Sequence, residues 1–263
     1  MLKTGDASGI QRLSLTADGT VALVGTDDGG VEVWSLATLA NPERLTRLAH
    51  PSSISDVAVS SDGRTAAVVS RGEGYLWDLT DASHPSLYTR LPGVRGIALS
   101  GDGRRAMTAG VSDGGTQSPV RLWDLADRRR PRALGSLTTD ANRVAITPDG
   151  RTALAGTPHG VTTLWDLRNP SRPALRATLK GPAKAVEDVV LSADGDTAML
   201  ATPRWGAFSW NVRGISGDPL RDLCGSGDQR ADVALSRERW AAISGGQKWP
   251  SYFGGLAKFD PCD

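Results

Sequence analysis

Short runs of alternating apolar and polar residues recur along most of the chain, each bounded by Gly, Pro, Asn, Asp or Ser. "ISDVAVS" alternates and stops at an Asp-Gly pair, a compact apolar run follows ("TAAVVS", "TALAG", "TAMLAT"), and a tryptophan segment comes next. A period of two over 4–8 residues, enriched in Val, Ile, Ala and Trp, predicts β-strands. The Asp-Gly pairs predict tight hairpin turns, because glycine tolerates positive φ. A fourth strand is expected after each tryptophan, in "RLTRL", "SLYTRL", "RALGSL" and "ALRATL".

Two markers repeat in register. Trp34, Trp77, Trp123, Trp165 and Trp210 are spaced by 43, 46, 42 and 45 residues. Asp18, Asp62, Asp102, Asp149 and Asp194, each followed by Gly, lie 16, 15, 21, 16 and 16 residues upstream of them. Pro42, Pro85, Pro131 and Pro173 stand eight residues after the first four tryptophans, and Leu48, Leu91, Leu137 and Leu179 fourteen after. Proline at that point ends the third strand and stiffens the turn into the outer one. A four-stranded antiparallel unit cannot bury both faces alone; stacked radially, five of them can. The expectation is an all-β fold, a β-propeller of four-stranded antiparallel blades with five detectable repeats over residues 1–213. The Asp-Gly pairs and the tryptophans are expected to be structural, as hairpin turns and blade packing.

The unit "LAHPSSISDVAVSSDGRTAAVVSRGEGYLWDL" resembles the WD-repeat family, and "WDLTDASHPSLYTRL" also resembles propeller repeats of the Leu-Val-Ile-Val-Asp type. The resemblance implies a buried Asp–His–Ser/Thr–Trp hydrogen-bond network, which is incomplete here. His50, Ser70 and Trp77 match in the second unit, with Arg71 in the place of the aspartate. In the first, Asp28 matches and Asp6 replaces the histidine; Gln117, His159 and Arg204 hold the corresponding place in the other units. Apolar stacking is then left to hold the blades together. The fifth unit shows no outer strand after Trp210. Two completions are open: residues 1–4 supply that strand and close a five-blade ring, or the chain is the C-terminal part of a larger propeller.

Residues 214–263 break the pattern and read as a partly helical tail. Asp218-Pro219 suits a helix start, and Ser236 can cap "SRERW" with Glu238 in the first turn. Cys224, "LSRERW", Tyr252 and "DPC" with Cys262 resemble the ending of actinobacterial WD-repeat proteins, which implies a regulatory or signalling context. Cys224 and Cys262, the only two cysteines, would be a disulfide in an exported protein and two thiols in a reducing compartment. The start carries no signal-peptide pattern, which favours the cytoplasm over export; localisation is otherwise open.

Composition narrows the function classes. Lys+Arg number 30 against 29 Asp+Glu, so there is no global bias toward a polyanion or a membrane surface, and no apolar run approaches a membrane span. The run Arg128–Arg130 with Arg132 lacks interleaved aromatics and a helix to enter a groove, so no nucleic acid is expected. His50, His84 and His159 fall in separate units, with no His-Glu-x-x-His, Cys-x-x-Cys or phosphate-loop pattern; no catalytic residue, metal or cofactor is expected. The best-fitting function is a non-catalytic protein–protein interaction scaffold or sensor. The competing one is a propeller hydrolase or lyase acting at the central mouth. For a scaffold, the loops entering the inner strands and joining second to third strands form the partner face. His50, Arg71, Arg95, Arg143, His159, Lys184, Arg204 and Trp205 are placed there, a cationic set suited to an acidic protein segment, with Trp205 as anchor. Val111–Ser118 lengthens this face in the third unit.

Overall fold

The computed structural model describes residues 9–110, 119–180, 186–202 and 206–214. Within them the chain forms five antiparallel sheets, and they are arranged as a five-bladed β-propeller. Blade 1 comprises β1 (Ile10–Leu15), β2 (Val21–Thr26), β3 (Gly30–Ser35) and β4 (Glu43–Ala49). Blade 2 comprises β5 (Ile54–Val59), β6 (Thr65–Ser70), β7 (Glu73–Asp78) and β8 (Ser86–Pro92). Blade 3 comprises β9 (Val94–Leu99), β10 (Arg105–Gly110), β11 (Val120–Asp124) and β12 (Arg132–Leu137). Blade 4 comprises β13 (Arg143–Ile146), β14 (Thr152–Gly156), β15 (Val161–Asp166) and β16 (Ala174–Lys180). Blade 5 holds β17 (Asp188–Leu191), β18 (Thr197–Thr202) and β19 (Gly206–Asn211), three strands among the described residues. Residues 1–4, Val111–Ser118 and the tail with Cys224 and Cys262 lie outside the described residues.

Every blade is a simple meander, and the tryptophan register repeats. Ala22, Ala66, Ala106, Ala153 and Ala198 of the second strands lie opposite Trp34, Trp77, Trp123, Trp165 and Trp210. Small residues there leave room for the indole on the same face. In the four complete blades, a bulge beside the tryptophan shifts the pairing of the third strand with the fourth in blades 1–4, which bends the outer strand.

The core lies between blades. One face of each blade, the tryptophan face, packs on the opposite face of the blade before it. Between blades 1 and 2, Leu23, Val31 and Val33 meet Ile54, Val57, Ala66, Val68 and Tyr75. Ala67, Val69 and Leu76 then meet Val94, Ile97, Leu99 and Ala106. Met107, Val120 and Leu122 meet Val144, Ala153, Ala155 and Trp165. Leu154, Leu164 and Leu179 meet Val189, Ala198, Leu200 and Val212. The inner strands β1, β5, β9, β13 and β17 follow one another side by side, and no comparable packing joins β17 back to β1 among the described residues.

The Asp-Gly turn is wider than a two-residue hairpin. A type I′ turn needs positive φ at both central residues, yet here the glycines (Gly19, Gly63, Gly103, Gly150 and Gly195, φ 61–72°) are left-handed and their aspartates are not. The reason is a side-chain lock absent from the two-residue form. Thr16, Ser60, Ser100, Thr147 and Ser192 donate their hydroxyls to Oδ1 of the Asp two residues on, at 2.5–2.7 Å. The same Oδ1 accepts the N–H two residues further along. The hydroxyl oxygen in turn accepts the N–H that opens the next strand. The signal is therefore a five-times-repeated Ser/Thr-x-Asp-Gly, of which the Asp-Gly is half.

Candidate functional site

Four tryptophans satisfy their indole N–H differently. Trp77 Nε1 donates to His50 Nε2 at 3.3 Å and Trp123 Nε1 to Thr108 Oγ1 at 2.9 Å. Trp165 Nε1 donates to Thr163 Oγ1 at 2.8 Å and Trp34 Nε1 to Glu32 Oε2 at 3.0 Å. Glu32 is 3% exposed and is also held by Arg44 at 2.9 Å. Of the trio His50, Ser70 and Trp77, the structure brings the histidine and the indole together. Ser70 turns to the backbone instead, donating to the Ser52 carbonyl at 2.7 Å. His50 is half-buried, edge-on to the Tyr75 and Trp77 rings. Its Nε2 is an acceptor, so the ring is neutral with the proton on Nδ1; burial holds its pKa below the usual histidine value.

The other proposed partner-face residues are spread along one end of the blades. Arg71, exposed, sits in the β6–β7 turn at φ 51°, the only described non-glycine residue with positive φ. Arg95 is exposed at the start of β9, and His159 is exposed in the turn between β14 and β15. Arg143, half-buried at the start of β13, donates Nε to the Glu187 carbonyl at 2.6 Å, tying blade 4 to blade 5. Lys184, Arg204 and Trp205 lie outside the described residues.

A feature that the residue-by-residue reading missed lines the inner strands at the same end. Arg12, Asp56, Gly96, Arg143 and Asp188 each stand four residues before the Ser or Thr of the repeated turn, so they share one register. Asp56 accepts from its neighbour Val57 N at 3.0 Å and, across blades, from Ile97 N at 2.9 Å. Gly96 has no room for a side chain: an added Cβ would stand 2.8 Å from the Asn142 carbonyl and 3.4 Å from Asp56 Oδ2. Asp56 is half-buried by surface area, yet its carboxylate is crowded by the strands on either side. That burial pushes its pKa up to about 6, against the Ile97 N–H and the charges of Arg143 and Arg12, while Asp188 adds to the rise. The constant offset from the Ser/Thr was the signal that could have found this set.

The opposite end carries the arginine run. Arg128 is half-buried, with Nε on Thr65 Oγ1 at 2.8 Å and Nη2 on the Asp102 carbonyl at 3.1 Å. It joins blade 3 to blade 2 beside a cleft that Arg64, Arg104 and Tyr88 also line. Arg129 lies over the Tyr88 ring at 5.7 Å, and Arg130 is exposed. The run is thus partly structural rather than a free basic loop. Among the described residues no group of three His, Cys, Asp or Glu is placed to hold a metal ion.

With this geometry, the fold and the repeated turn define a five-bladed β-propeller. The chain is similar to protein groucho of Drosophila melanogaster, 27% identical over 147 residues, 53% of this chain and 20% of that protein. It is similar to cilia- and flagella-associated protein 52 of Sus scrofa, 23% identical over 160 residues, 60% of this chain and 25% of that protein. It is also similar to periodic tryptophan protein 2 homolog of Mus musculus, 32% identical over 124 residues, 45% of this chain and 13% of that protein. The chain spans a quarter or less of the length of these curated relatives. No family model matches the chain. The distant relatives and the blade architecture together support a WD-repeat propeller.

Proposed function

We propose that the chain is a non-catalytic protein–protein interaction module, a scaffold or sensor within a bacterial regulatory or signalling assembly. Its partner docks at the blade end that presents Arg71, Arg95 and His159, with Arg143 beside them. The observation that carries this reading is the exposure of Arg71, in the tight β6–β7 turn, and of Arg95, in β9, at the same end of neighbouring blades. Exposed cations fixed on one face suit an acidic segment of a protein partner, where they set specificity and association rate. Lys184, Arg204 and Trp205 would extend the same face. Similarity to WD-type propeller proteins is consistent with a scaffold role.

Affinity capture of the full chain from its native host, with mass spectrometry of what co-purifies, tests the proposal. A stoichiometric protein partner is expected. Turnover of small esters or lactones by the purified chain, with no protein retained, would replace this reading with the hydrolase one.

A further inference from the structure

The residue after the glycine of each repeated turn holds the same place in every blade: Thr20, Arg64, Arg104, Arg151 and Asp196. Its backbone N–H is the one that the turn aspartate accepts, so the lock that builds the hairpin also fixes where this side chain starts. In blade 5, Asp196 pairs with Arg213 at 2.6 Å, and in blade 4 Arg151 turns back to Asp149 at 4.0 Å. Arg64 and Arg104, on adjacent blades, are exposed. Their guanidinium groups make no hydrogen bond among the described residues, though the Asp102 carboxylate attracts Arg104. Both line a cleft of about 510 Å³ between blades 2 and 3, together with Arg128, Thr80 and Tyr88. Arg128 is fastened through Nε and Nη2 to Thr65 and the Asp102 carbonyl, which leaves Nη1 unspent among the described residues. Asp62 and Asp102 line the cleft as well, but each commits Oδ1 to its own turn. Asp78, beside them, is engaged by the hydroxyls of Thr80 and Tyr88. Arg129 adds a further cation over the Tyr88 ring.

We propose that this cleft binds the phosphate group of a phosphate monoester. Guanidinium forks donate in pairs to phosphate oxygens. Here they arrive from two turns and from the β11–β12 loop, and a phosphate dianion offers them more acceptor oxygens than a carboxylate does. Arg128, already held in place, gives up little freedom on binding. The cleft has the volume of a small-molecule site rather than of a bare ion, so the phosphate comes attached, either to a small molecule or to a phosphorylated side chain. Arg64 stands in the turn at the start of β6 and Arg71 in the turn at its end, so the cleft lies at the opposite end from the partner face proposed above. Either can fail without the other.

Isothermal titration of the full chain with O-phosphoserine, and with a phosphoserine peptide beside its unphosphorylated form, tests it. Saturable binding of the phosphorylated ligands alone is expected. Arg64→Ala or Arg104→Ala should weaken it about tenfold, the loss of one charge-assisted hydrogen bond. Arg151→Ala, at the same turn position outside the cleft, should leave the affinity within about twofold. A phosphopeptide that binds more tightly than O-phosphoserine identifies a phosphorylated protein as the source; equal affinities identify a small phosphate ester. No saturable binding of either phosphorylated ligand would overturn the proposal. So would equal binding of the unphosphorylated peptide, binding that both cleft variants leave intact, or an equal loss in Arg151→Ala. Alanine keeps the backbone N–H that the turn uses, so folding should survive; if circular dichroism shows otherwise, Arg64→Gln and Arg104→Gln decide by the same criteria.

Discussion

Asp56 and His50 show at the level of single residues how burial turns into pH dependence. Asp56 has its pKa raised to about 6 by burial, so the folded state holds a proton more tightly than the unfolded chain does. Its contribution to stability is favourable at low pH and is lost as pH rises from about 4 through 6. His50 acts in the opposite sense. Its lowered pKa makes stability fall as pH drops below the ordinary histidine value. The turn carboxylates act lower still. Burial alone would raise Asp102 and Asp149, but the Arg104 N–H and the Ser100 hydroxyl for one, and the Thr147 hydroxyl and the Arg151 N–H for the other, hold them below the usual range. Their stabilisation is lost on acidification below about pH 4. Urea unfolding at steps from pH 4 to pH 7 should show the decline due to Asp56, and Asp56→Asn should abolish it, leaving the rise due to His50. An unchanged profile in the variant would show that Asp56 titrates like an exposed carboxylate.

Arg128 carries a second residue-level prediction. Arg128→Ala removes one inter-blade hydrogen bond, to Thr65, and one within blade 3, to the Asp102 carbonyl, and should cost about 1–2 kcal/mol. Arg130→Ala should stay within about 0.5 kcal/mol. Equal effects in chemical denaturation would contradict the tie between blades 2 and 3. From sequence the four arginines looked alike, because nothing local separates a side chain that reaches Thr65, 63 residues away, from one that points into water.

Among the elements, the period-two pattern and the tryptophan spacing were enough to place the four-stranded blades and their pairing. They were not enough for the turn, where the hydroxyl of Ser or Thr is as much a part of the lock as the Asp-Gly. The inner-strand register of Arg12, Asp56, Gly96, Arg143 and Asp188 also escaped, because its members differ in charge and size and share position alone. Likewise, the indole acceptors Glu32, Thr108 and Thr163 come from neighbouring strand positions, so a search for one fixed network could not see them. Close inter-blade approach is legible only in three dimensions. At Gly25 on β2 an added Cβ would lie 2.7 Å from Ile54 Cγ2 on the next inner strand. Gly25→Ala should therefore destabilise by about 1–3 kcal/mol through overpacking, read as a lower urea midpoint with an unchanged slope. No loss would mean that blades 1 and 2 have slack that the packing does not show.

For the whole molecule, stability follows from nearest-neighbour contacts between blades, as in other repeat proteins. Four apolar interfaces repeat one design. The proposed role places an acidic protein partner at the end of the molecule where Arg71 and Arg95 stand exposed on adjacent blades. The most direct measurement is a binding isotherm of the captured partner against the wild-type chain and the Arg71→Glu/Arg95→Glu variant, at low and at physiological salt. At least a tenfold weaker affinity is expected for the variant, with a marked salt dependence for the wild type alone. Affinities equal within twofold at both salt concentrations would contradict it.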